Sequence, residues 1–428
     1  MTHTASDIQR PDRLVTPVLL AGGFILLVSF AIRASFGIFQ IPIAEDFNWP
    51  RAEFSFAIAI QNLFWGIGQP IFSAIAEKFG DRKAIVMGIA FYVAGLILSS
   101  YAVTAGQHQF LEVLIGFGIA GTGFGVILAI VGRATSDKHR SMALGIVTAA
   151  GSAGQIVGPP FTEFLLGFMP WQSVFMVFGG IVALLLLALP FIKAPTRPSG
   201  HGAQDHDAGL ALSTVLMQAG RDKNYIFIFI GFFACGYQLA FITAHFPAFI
   251  TEVCAAVSPG SLIHSMGITT SSALGALSIA VIGVFNVGGT VLAGWLGNVY
   301  SRKYLLAIVY GLRTIVAAGF ILMPMTPGSV IVFSILMGSL WLATVPLTSG
   351  LVAQIYGLKY MGTLYGFVFF SHQLGGFLGV WLGGYMYDHY GSYDLVWWVG
   401  VGVGAISALI HIPIDDRPWA LSRASASA

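Results

Sequence analysis

Three cationic or titratable side chains, Arg33, Arg313 and His372, lie well inside long apolar stretches of the sequence. Arg33 has no acidic residue at its expected depth, so its charge must be satisfied by an anion, by a carbonyl group or by water. An arginine in apolar surroundings is costly unless it is paired or hydrated, and its presence is therefore a functional hypothesis. Because a planar guanidinium matches a carboxylate with two parallel hydrogen bonds, Arg33 predicts a carboxylate site.

Each of these residues also has a purely structural explanation. Arg33 could brace helix packing by donating to carbonyl groups of neighbouring helices, and this alternative stays open. Arg313 lies about 10 residues into its apolar stretch. His372 lies about 11 residues, or roughly 16 Å, into its stretch. Its imidazole could donate to a carboxylate and couple proton movement, or it could be bonded to a carbonyl group.

The acidic residues give a weaker signal. All 18 lie in predicted loops or near predicted helix ends, and the most embedded are Glu112 and Glu163, both toward the outer side. Glu112 comes near the start of an apolar run over residues 110–131. The sequence therefore predicts no carboxylate relay at the middle of the membrane.

The composition places these residues in a membrane protein. Of the 428 residues, 56% are hydrophobic and 9% are charged, whereas a soluble domain carries roughly 25% charged residues. A chain so poor in charge cannot cover a surface that faces water. The net charge of +2 is spread over short loops and forms no basic face, so we expect no nucleic-acid partner.

Twelve apolar runs alternate with short polar segments. A bilayer core of roughly 30 Å needs about 20 helical residues, and each run is near that length. We therefore predict an all-α membrane protein in which residues 17–192 and 224–414 form two pseudo-symmetric bundles of six transmembrane helices. Residues 1–16 and 415–428 are the predicted cytoplasmic tails, and residues 193–223, rich in Pro, Gly, His and charge, are the predicted cytoplasmic linker.

The distribution of Lys and Arg predicts the orientation. With the N-terminus in the cytoplasm, 17 of the 20 Lys and Arg residues fall in cytoplasmic segments and only Arg51 lies outside. Arg33 and Arg313 lie within spans. Because cytoplasmic loops retain Lys and Arg, we expect a multi-pass protein of the inner (plasma) membrane with both termini in the cytoplasm.

The two halves contain an internal repeat. The segments Ala76–Lys83 and Ala293–Lys303 both end in Arg-Lys, at an offset of 220 residues. Glycine-rich segments that begin at Ser141 and Gly362 repeat at an offset of 221. Two matches at nearly the same offset indicate a duplicated six-helix unit.

The repeat also suggests which polar residues face each other. Helices one and seven align at an offset of 205, which pairs Arg33 with Gln238 and Gln40 with His245. We expect Gln238 to lie across a central cavity from Arg33, or else to bond to another helix. Further candidates for the cavity lining, each of which more often serves packing, are Asn62, Gln69, Gln155, Asn286, Trp341 and Thr344.

Twelve spans in two similar halves, with Gly-Asp-Arg-Lys after the second span, resemble the major facilitator superfamily of secondary transporters. The likeness covers almost the whole chain. In that family the charged turn after helix two is a conformational latch on the cytoplasmic side. The resemblance implies this role for Asp81, Arg82 and Lys83, with Gly80 allowing the turn. The second copy lacks the acid, so we expect its latch to be weaker.

A narrower likeness surrounds the first two spans. Residues 33–39 and 47–55 resemble the monocarboxylate transporter and oxalate/formate antiporter branch, which implies a small organic anion as cargo. An arginine of helix eight binds the carboxylate in that branch, whereas here Thr290 stands at that position and Asn286 one turn before it. Helix eleven supplies a cation in the related anion exchangers, and the resemblance implies that role for His372. In the superfamily the ninth helix usually supports the bundle from outside, which implies a bracing role for Arg313.

These patterns predict a secondary active transporter that moves a small organic anion, a carboxylate by the chemistry of Arg33, by alternating access. The predicted substrate-binding residues are Arg33, Gln238, Asn286, Trp341 and His372, and His372 is also the predicted proton-coupling residue. Transport would be proton symport or exchange of anions. The alternative is an efflux transporter for a hydrophobic or uncharged small molecule, which the aromatic content and the missing arginine favour.

The loops contain no spacing typical of catalysis. There is no Cys-His, Ser-His-Asp, P-loop or metal-binding pattern, so we expect no enzymatic activity, no catalytic residue, no cofactor and no metal. The expected partners are the small organic anion, protons and the lipid bilayer, and the expected functional unit is a monomer.

Overall fold

The computed structural model describes residues 13–135, 137–192, 212–356 and 361–418. Within these ranges the chain forms helices and no strands, and twelve of the helices are long. Their bounds are Pro17–Phe47 (α1), Arg51–Phe79 (α2), Asp81–Ser99 (α3), Ala105–Ala134 (α4), Asp137–Leu166 (α5), Trp171–Phe191 (α6), Lys223–Val253 (α7), Ser271–Val299 (α8), Arg302–Leu322 (α9), Pro327–Tyr356 (α10), Met361–Tyr390 (α11) and Asp394–His411 (α12). Two short helices, Leu212–Ala219 and Leu262–Ser265, lie in the connections.

Ten of the long helices are apolar enough to cross a membrane. The other two, α2 and α11, have similar lengths of 29 and 30 residues but carry more polar side chains. The buried ones are Ser55, Gln61, Asn62, Ser371, His372 and Gln373. Because these groups are covered by protein rather than lipid, both helices fit a membrane bundle in spite of their polarity.

The helices pack as two repeated bundles, α1–α6 and α7–α12. In the N-terminal bundle α1 packs on α5, α2 on α4 and α3 on α6, and the equivalent pairs α7–α11, α8–α10 and α9–α12 recur in the C-terminal bundle. The bundles meet along α2–α11, α5–α8 and α1–α7. At Gly37 the approach is so close that a Cβ would lie 2.3 Å from the carbonyl oxygen of Thr243. The predicted fold class of two pseudo-symmetric six-helix bundles is confirmed.

Two equivalent helices are interrupted near their middles. The helical segments of α4 end at Thr122 and restart at Phe124, and α10 is broken between Leu340 and Thr344. A break leaves backbone carbonyl groups without helical partners. At the α10 break these groups are satisfied by Arg313, which is completely buried.

The guanidinium of Arg313 forms the brace that holds the α10 break. Its Nε donates to the Leu340 carbonyl at 3.1 Å and its Nη2 donates to the Trp341 carbonyl. Arg313 therefore binds protein backbone, and the bracing role that we favoured from the sequence is confirmed.

The predicted tails and linker fall largely outside the described residues. Residues 1–12, 193–211 and 419–428 lie there, as do residues 136 and 357–360. In the part of the predicted linker that the structure does describe, Leu212–Ala219 is helical and α7 begins at Lys223.

Candidate functional site

A small cavity lies between the two bundles, beside Arg33. Three helices line it: α1 with Arg33, Phe36 and Gly37, α2 with Ile58, Gln61 and Asn62, and α7 with Ala240, Thr243 and Ala244. The cavity has room for about one water molecule. A carboxylate would fit there only after the bundles separate on one side.

Arg33 is held at this cavity by α2. Its Nη2 donates to the Asn62 Oδ1 at 3.0 Å, and its guanidinium carbon lies 4.7 Å from the centroid of the Trp65 ring. The Nδ2 of Asn62 donates to the Ile58 carbonyl at 2.9 Å, which orients the amide so that its oxygen faces the guanidinium. The cation is therefore positioned by a neutral amide and an aromatic face.

Arg33 has no acidic partner in the structure as described. No carboxylate forms an ion pair with it, and its Nε has no hydrogen-bond partner. Only one of its five N–H donors is engaged by a protein hydrogen bond. A poorly satisfied cation between two bundles is chemically suited to an anionic ligand.

His372 lies outside the lining of the Arg33 cavity. Its ring stacks on Phe369 at a centroid distance of 5.5 Å, and Phe369 in turn contacts Trp65 at 5.4 Å. The Nδ1 of His372 is 3.3 Å from the side-chain oxygen of Gln373. Two aromatic rings therefore separate His372 from Arg33 in this conformation.

Gln238 does not face Arg33. Its amide donates to the Gly400 carbonyl at 3.0 Å, and it lines a separate cavity inside the C-terminal bundle with Trp397 and Met337. The α7 residues that line the Arg33 cavity lie on the opposite face of the helix. The repeat alignment is nevertheless confirmed two turns further on, because Gln40 Nε2 lies 3.0 Å from His245 Nδ1 across the two bundles.

Asn286 of α8 and Trp341 of α10 meet at the interrupted part of α10. The Asn286 Oδ1 accepts from the Leu342 backbone N–H and from the Thr290 hydroxyl, both at 3.0 Å. Its Nδ2 donates to the Ser152 hydroxyl of α5 at 3.1 Å. Trp341 is buried at the break. Neither residue lines the Arg33 cavity, and Asn286 has its hydrogen-bonding groups occupied.

Glu112, one of the two acids that the sequence places deepest, contacts the cavity wall, a role that was not predicted. Gln61, which lines the cavity, donates through Nε2 to the Glu112 Oε2 at 2.7 Å. Glu112 is fully buried, as is His108 one turn earlier on α4. The signal was the spacing of four residues between a histidine and a glutamate at the start of an apolar run.

The turn Gly80–Lys83 binds two helix ends of its own bundle. Gly80 has φ 101°, a left-handed conformation that favours glycine. The Asp81 carboxylate accepts from Arg133 at the end of α4. Arg82 donates to the carbonyl groups of Ile192 and Pro190, at 2.9 and 3.2 Å, after α6.

The second copy of this turn repeats the arrangement without the acid. Arg302 donates to the Gln354 side chain at 2.6 Å, and these two residues are separated by 52 positions, as are Asp81 and Arg133. Lys303 donates to the Ile414 carbonyl at 2.6 Å. A neutral amide here replaces one charge of the N-terminal ion pair, which is consistent with a weaker contact.

On the opposite side of the bundles, Arg51 joins the two halves. Its guanidinium contacts the Glu252 carboxylate, donates to the Tyr393 hydroxyl at 3.0 Å and lies 3.8 Å from the Tyr387 ring centroid. The Asp388 carboxylate accepts from the backbone N–H of Arg51 at 3.0 Å and of Ala52 at 2.7 Å. An acid of α11 thus caps the N-terminus of α2.

The hydrogen bonds between the bundles are unevenly distributed. Those within the described ranges lie on the Arg51 side or at mid-depth, as between Glu163 and Ser272 or Ser152 and Asn286. The turns Gly80–Lys83 and Ser301–Lys303 bind only their own bundles. The bundles are therefore held together on the Arg51 side.

Two repeated six-helix bundles, interrupted helices at mid-depth and a cation between the halves define a polytopic membrane protein of the secondary-transporter type. The family model described as Major Facilitator Superfamily matches residues 21–380. The chain belongs to the major facilitator superfamily. The resemblance drawn from the charged turn and the twelve spans is confirmed.

The relatives agree with this assignment. The chain is 27% identical over 417 residues to an uncharacterized MFS-type transporter, YcxA, of Bacillus subtilis (strain 168), covering 92% of this chain and 95% of that protein. It is 26% identical over 411 residues to monocarboxylate transporter 13 of Bos taurus, covering 94% and 90%. These relatives are transporters, so the family is one of membrane transport rather than of enzymes.

Solved structures show the same fold. A bacterial homolog of the human lysosomal transporter Spinster, in an inward-facing and unoccupied conformation, superposes with a TM-score of 0.70 at 14% identity, covering 92% of this chain and 95% of that one. A D-xylose-proton symporter superposes with a TM-score of 0.68 at 15% identity, covering 93% and 97%.

Proposed function

We propose that this major facilitator protein is a secondary active transporter for a small carboxylate, working by alternating access in the inner membrane with both termini in the cytoplasm. One observation carries the proposal: Arg33 lies in the cavity between the bundles and no carboxylate of the described chain neutralises it. The relatives named monocarboxylate transporters support the same class of cargo.

The geometry suggests how the anion would be handled. The guanidinium supplies the charge and the paired donors, and Asn62 fixes its orientation. Since the bundles are closed at Arg51, the anion would reach Arg33 from the side of the Gly80–Lys83 turn, the proposed cytoplasmic side. Rocking of the bundles about the cavity would then expose Arg33 to the other side.

The remaining predicted ligands carry less of the proposal. Gln238, Asn286 and Trp341 are engaged by contacts within or between helices in this conformation. His372 is separated from Arg33 by aromatic rings. The proposed site therefore centres on Arg33, and transport is either coupled to protons or an exchange of anions.

The second candidate function is efflux of a hydrophobic or uncharged molecule. It is favoured by the apolar walls that surround Arg33, formed by Phe36, Ile58, Ala240 and Ala244. In that case Arg33 would serve packing through Asn62 and Trp65, and an anion would have no part in the cycle.

A thermal-shift screen of the purified protein tests the two candidates. We expect at least one of pyruvate, lactate, oxalate, succinate and citrate to raise the Tm, because a ligand at 100 times its Kd stabilises the folded state by about 2.7 kcal/mol. Xylose and a neutral aromatic amide serve as uncharged probes. If only the uncharged probes raise the Tm, the carboxylate assignment is wrong and the efflux function gains support.

The proposed latch at Asp81 is tested by Asp81→Asn. This change removes the ion pair with Arg133, whose side chains are 17% and 20% exposed, and such pairs contribute up to about 1 kcal/mol. We expect uptake into proteoliposomes to slow by about two- to fivefold with an unchanged Kd for the cargo. Asp394→Asn, at an exposed acid at the start of α12, is the matched control. A weakened Kd with an unchanged rate would contradict the latch role.

A further inference from the structure

A buried acid and a buried histidine lie one turn apart on α4. Glu112 is 0% exposed and His108 is 1% exposed. The Glu112 Oε2 accepts from Gln61 at 2.7 Å, and its Oε1 lies 3.6 Å from the His108 Nε2, beyond hydrogen-bond distance. Within the described ranges, that Oε1 and both ring nitrogens of His108 have no hydrogen-bond partner. The pair therefore has more hydrogen-bonding capacity than its surroundings use.

Aromatic side chains enclose the histidine. Phe54 and Phe175 stack near its ring at centroid distances of 5.8 and 6.3 Å, and Trp49 lies at 6.2 Å. These rings come from α2, α6 and the connection before α2. They supply no polar group to the imidazole at these positions, so its closest titratable neighbour is Glu112.

The titratable and charged groups around the pair come from the neighbouring helices. Tyr92 of α3 interacts electrostatically with Glu112 and with Arg33 of α1. Glu53 of α2 is engaged by Gln109, and Asp46 by side chains of α6. Among the described residues no lysine or arginine forms an ion pair with Glu112, which leaves His108 as its nearest basic group.

Burial limits the net charge that the His108–Glu112 pair can carry. With one proton the pair is neutral overall, either as a carboxylic acid beside a neutral imidazole or as a carboxylate beside an imidazolium. Loss of that proton leaves a buried carboxylate with a single amide donor from Gln61, and this state is costly. A positive charge near the carboxylate lowers this cost, so the charge at the neighbouring cavity decides whether the pair holds its proton.

Consecutive residues of α2 connect the pair to the cavity. Gln61 donates to Glu112, Asn62 accepts from Arg33, and both line the same cavity. The positive charge of Arg33 without an anion favours the unprotonated pair. A bound carboxylate cancels that charge and favours uptake of a proton. Anion and proton would then bind together, and the loaded site would gain no net charge.

We propose that the His108–Glu112 pair binds the proton that moves with the carboxylate. The inference rests on the proposed function, since it needs an anion at Arg33. It replaces His372 in the coupling role, because His372 has no carboxylate partner in the described structure and lies outside the cavity lining. His372→Gln therefore serves as the comparison variant for Glu112→Gln.

Transport in proteoliposomes tests the coupling, with labelled pyruvate, lactate and oxalate as probes. In Glu112→Gln we expect the stimulation of uptake by an inward pH gradient to fall about tenfold or to vanish, which corresponds to about 1.4 kcal/mol of coupling. Counterflow at equal pH, which needs no net proton movement, is expected to persist. Glu53→Gln on α2 is the matched acid control, and it and His372→Gln should keep the stimulation. Retained stimulation in Glu112→Gln, or its loss in His372→Gln alone, would overturn the proposal.

Infrared difference spectra of the reconstituted protein test proton binding without any cargo. We expect a protonated-carboxyl band in the wild type that disappears as the pH rises, is absent in Glu112→Gln and remains in Glu53→Gln. His108→Gln, which keeps the carboxyl group, should retain the band and move its midpoint pH. If the band is present but none of the probes is taken up, the proposed transport function is wrong and the proton site is correct. A band unaffected by Glu112→Gln would exclude the proton site whatever the protein transports.

Discussion

Arg33→Gln is expected to abolish carboxylate uptake and to weaken carboxylate binding by roughly 100-fold or more. The change removes the one cation of the cavity wall together with its paired donors, and loss of one partner of a buried charge pair costs about 3–5 kcal/mol. Binding is measured by calorimetry and uptake in proteoliposomes, with the carboxylate that gives the largest thermal shift. Arg33→Lys keeps the charge but loses the fork of donors, so we expect an intermediate loss.

The control for this prediction is Arg417→Gln, the same substitution at an exposed arginine that pairs with Asp415. It should leave binding and uptake unchanged. The Tm of Arg33→Gln without cargo should not fall, because the change removes a charge that the described chain leaves poorly satisfied. Normal uptake by Arg33→Gln would remove Arg33 from the site.

The two buried arginines have different roles that their local sequences do not predict. Arg33 and Arg313 are both single cations in apolar runs, and their local sequences do not distinguish an anion site from a brace. The difference arises from tertiary structure. Arg313 faces the break in α10, where carbonyl groups need donors, whereas Arg33 faces the gap between two bundles.

The fold was predictable because each of its elements has a strong local signal. Apolar runs of bilayer length predict the spans, and the repeated turns at Gly80–Lys83 and Ser301–Lys303 predict the two-bundle arrangement. The helix breaks were not predictable in the same way. The residues from Trp341 to Ala343 are apolar, and Pro346, which has no N–H for the Leu342 carbonyl, is a local signal for the break. The backbone groups at the break are bound by Asn286 and Arg313, which only the tertiary structure brings there.

Facing relationships within the site were only partly predictable. The repeat alignment of α1 with α7 brings Gln40 opposite His245 as expected, because equivalent residues of the two bundles lie at similar depth. It does not determine which way a residue points, since each step along a helix turns the side chain by about 100°. Gln238 consequently lies at a comparable depth but points into its own bundle.

The His108–Glu112 pair was missed for a related reason. Hydropathy places polar residues at the edges of spans, so the sequence predicts that the fourth run begins at residue 110 and that Glu112 lies close to its end. The helix begins at Ala105, which puts Glu112 two turns inside. Polar pairs that satisfy each other inside a bundle lower the apparent hydropathy and are therefore difficult to recognise from composition.

The second large effect is expected at the Arg51 side. Arg51→Gln combined with Asp388→Asn removes the contacts to Glu252, Tyr393 and Tyr387 and weakens the cap on α2. Each contact is partly exposed and weak alone, but all of them oppose separation of the bundles on this side. We expect a shift of about 1–3 kcal/mol toward the conformation open at Arg51, or roughly 5- to 150-fold in population.

Cysteine labelling measures this shift. Ala244→Cys places a thiol in the Arg33 cavity, in a background with Cys235 and Cys254 changed to serine. A membrane-impermeant maleimide added to spheroplasts should label it slowly, and about 5- to 150-fold faster once the Arg51 contacts are removed. Tyr390→Cys, at an exposed residue of α11, reports whether the reagent reaches the Arg51 side.

The same assay distinguishes control of access by the Arg51 contacts from a general loss of packing between the bundles. Arg417→Gln lies at the other end of the bundles and should leave the labelling rate unchanged. If the Arg51 contacts close one side of the cavity, they also favour opening of the other side. Removing these contacts should therefore slow labelling of Ala244→Cys from the Gly80–Lys83 side in inverted vesicles. Faster labelling from both sides would mean that Arg51 stabilises the bundles without controlling access, because alternating access requires the two sides to respond in opposite directions.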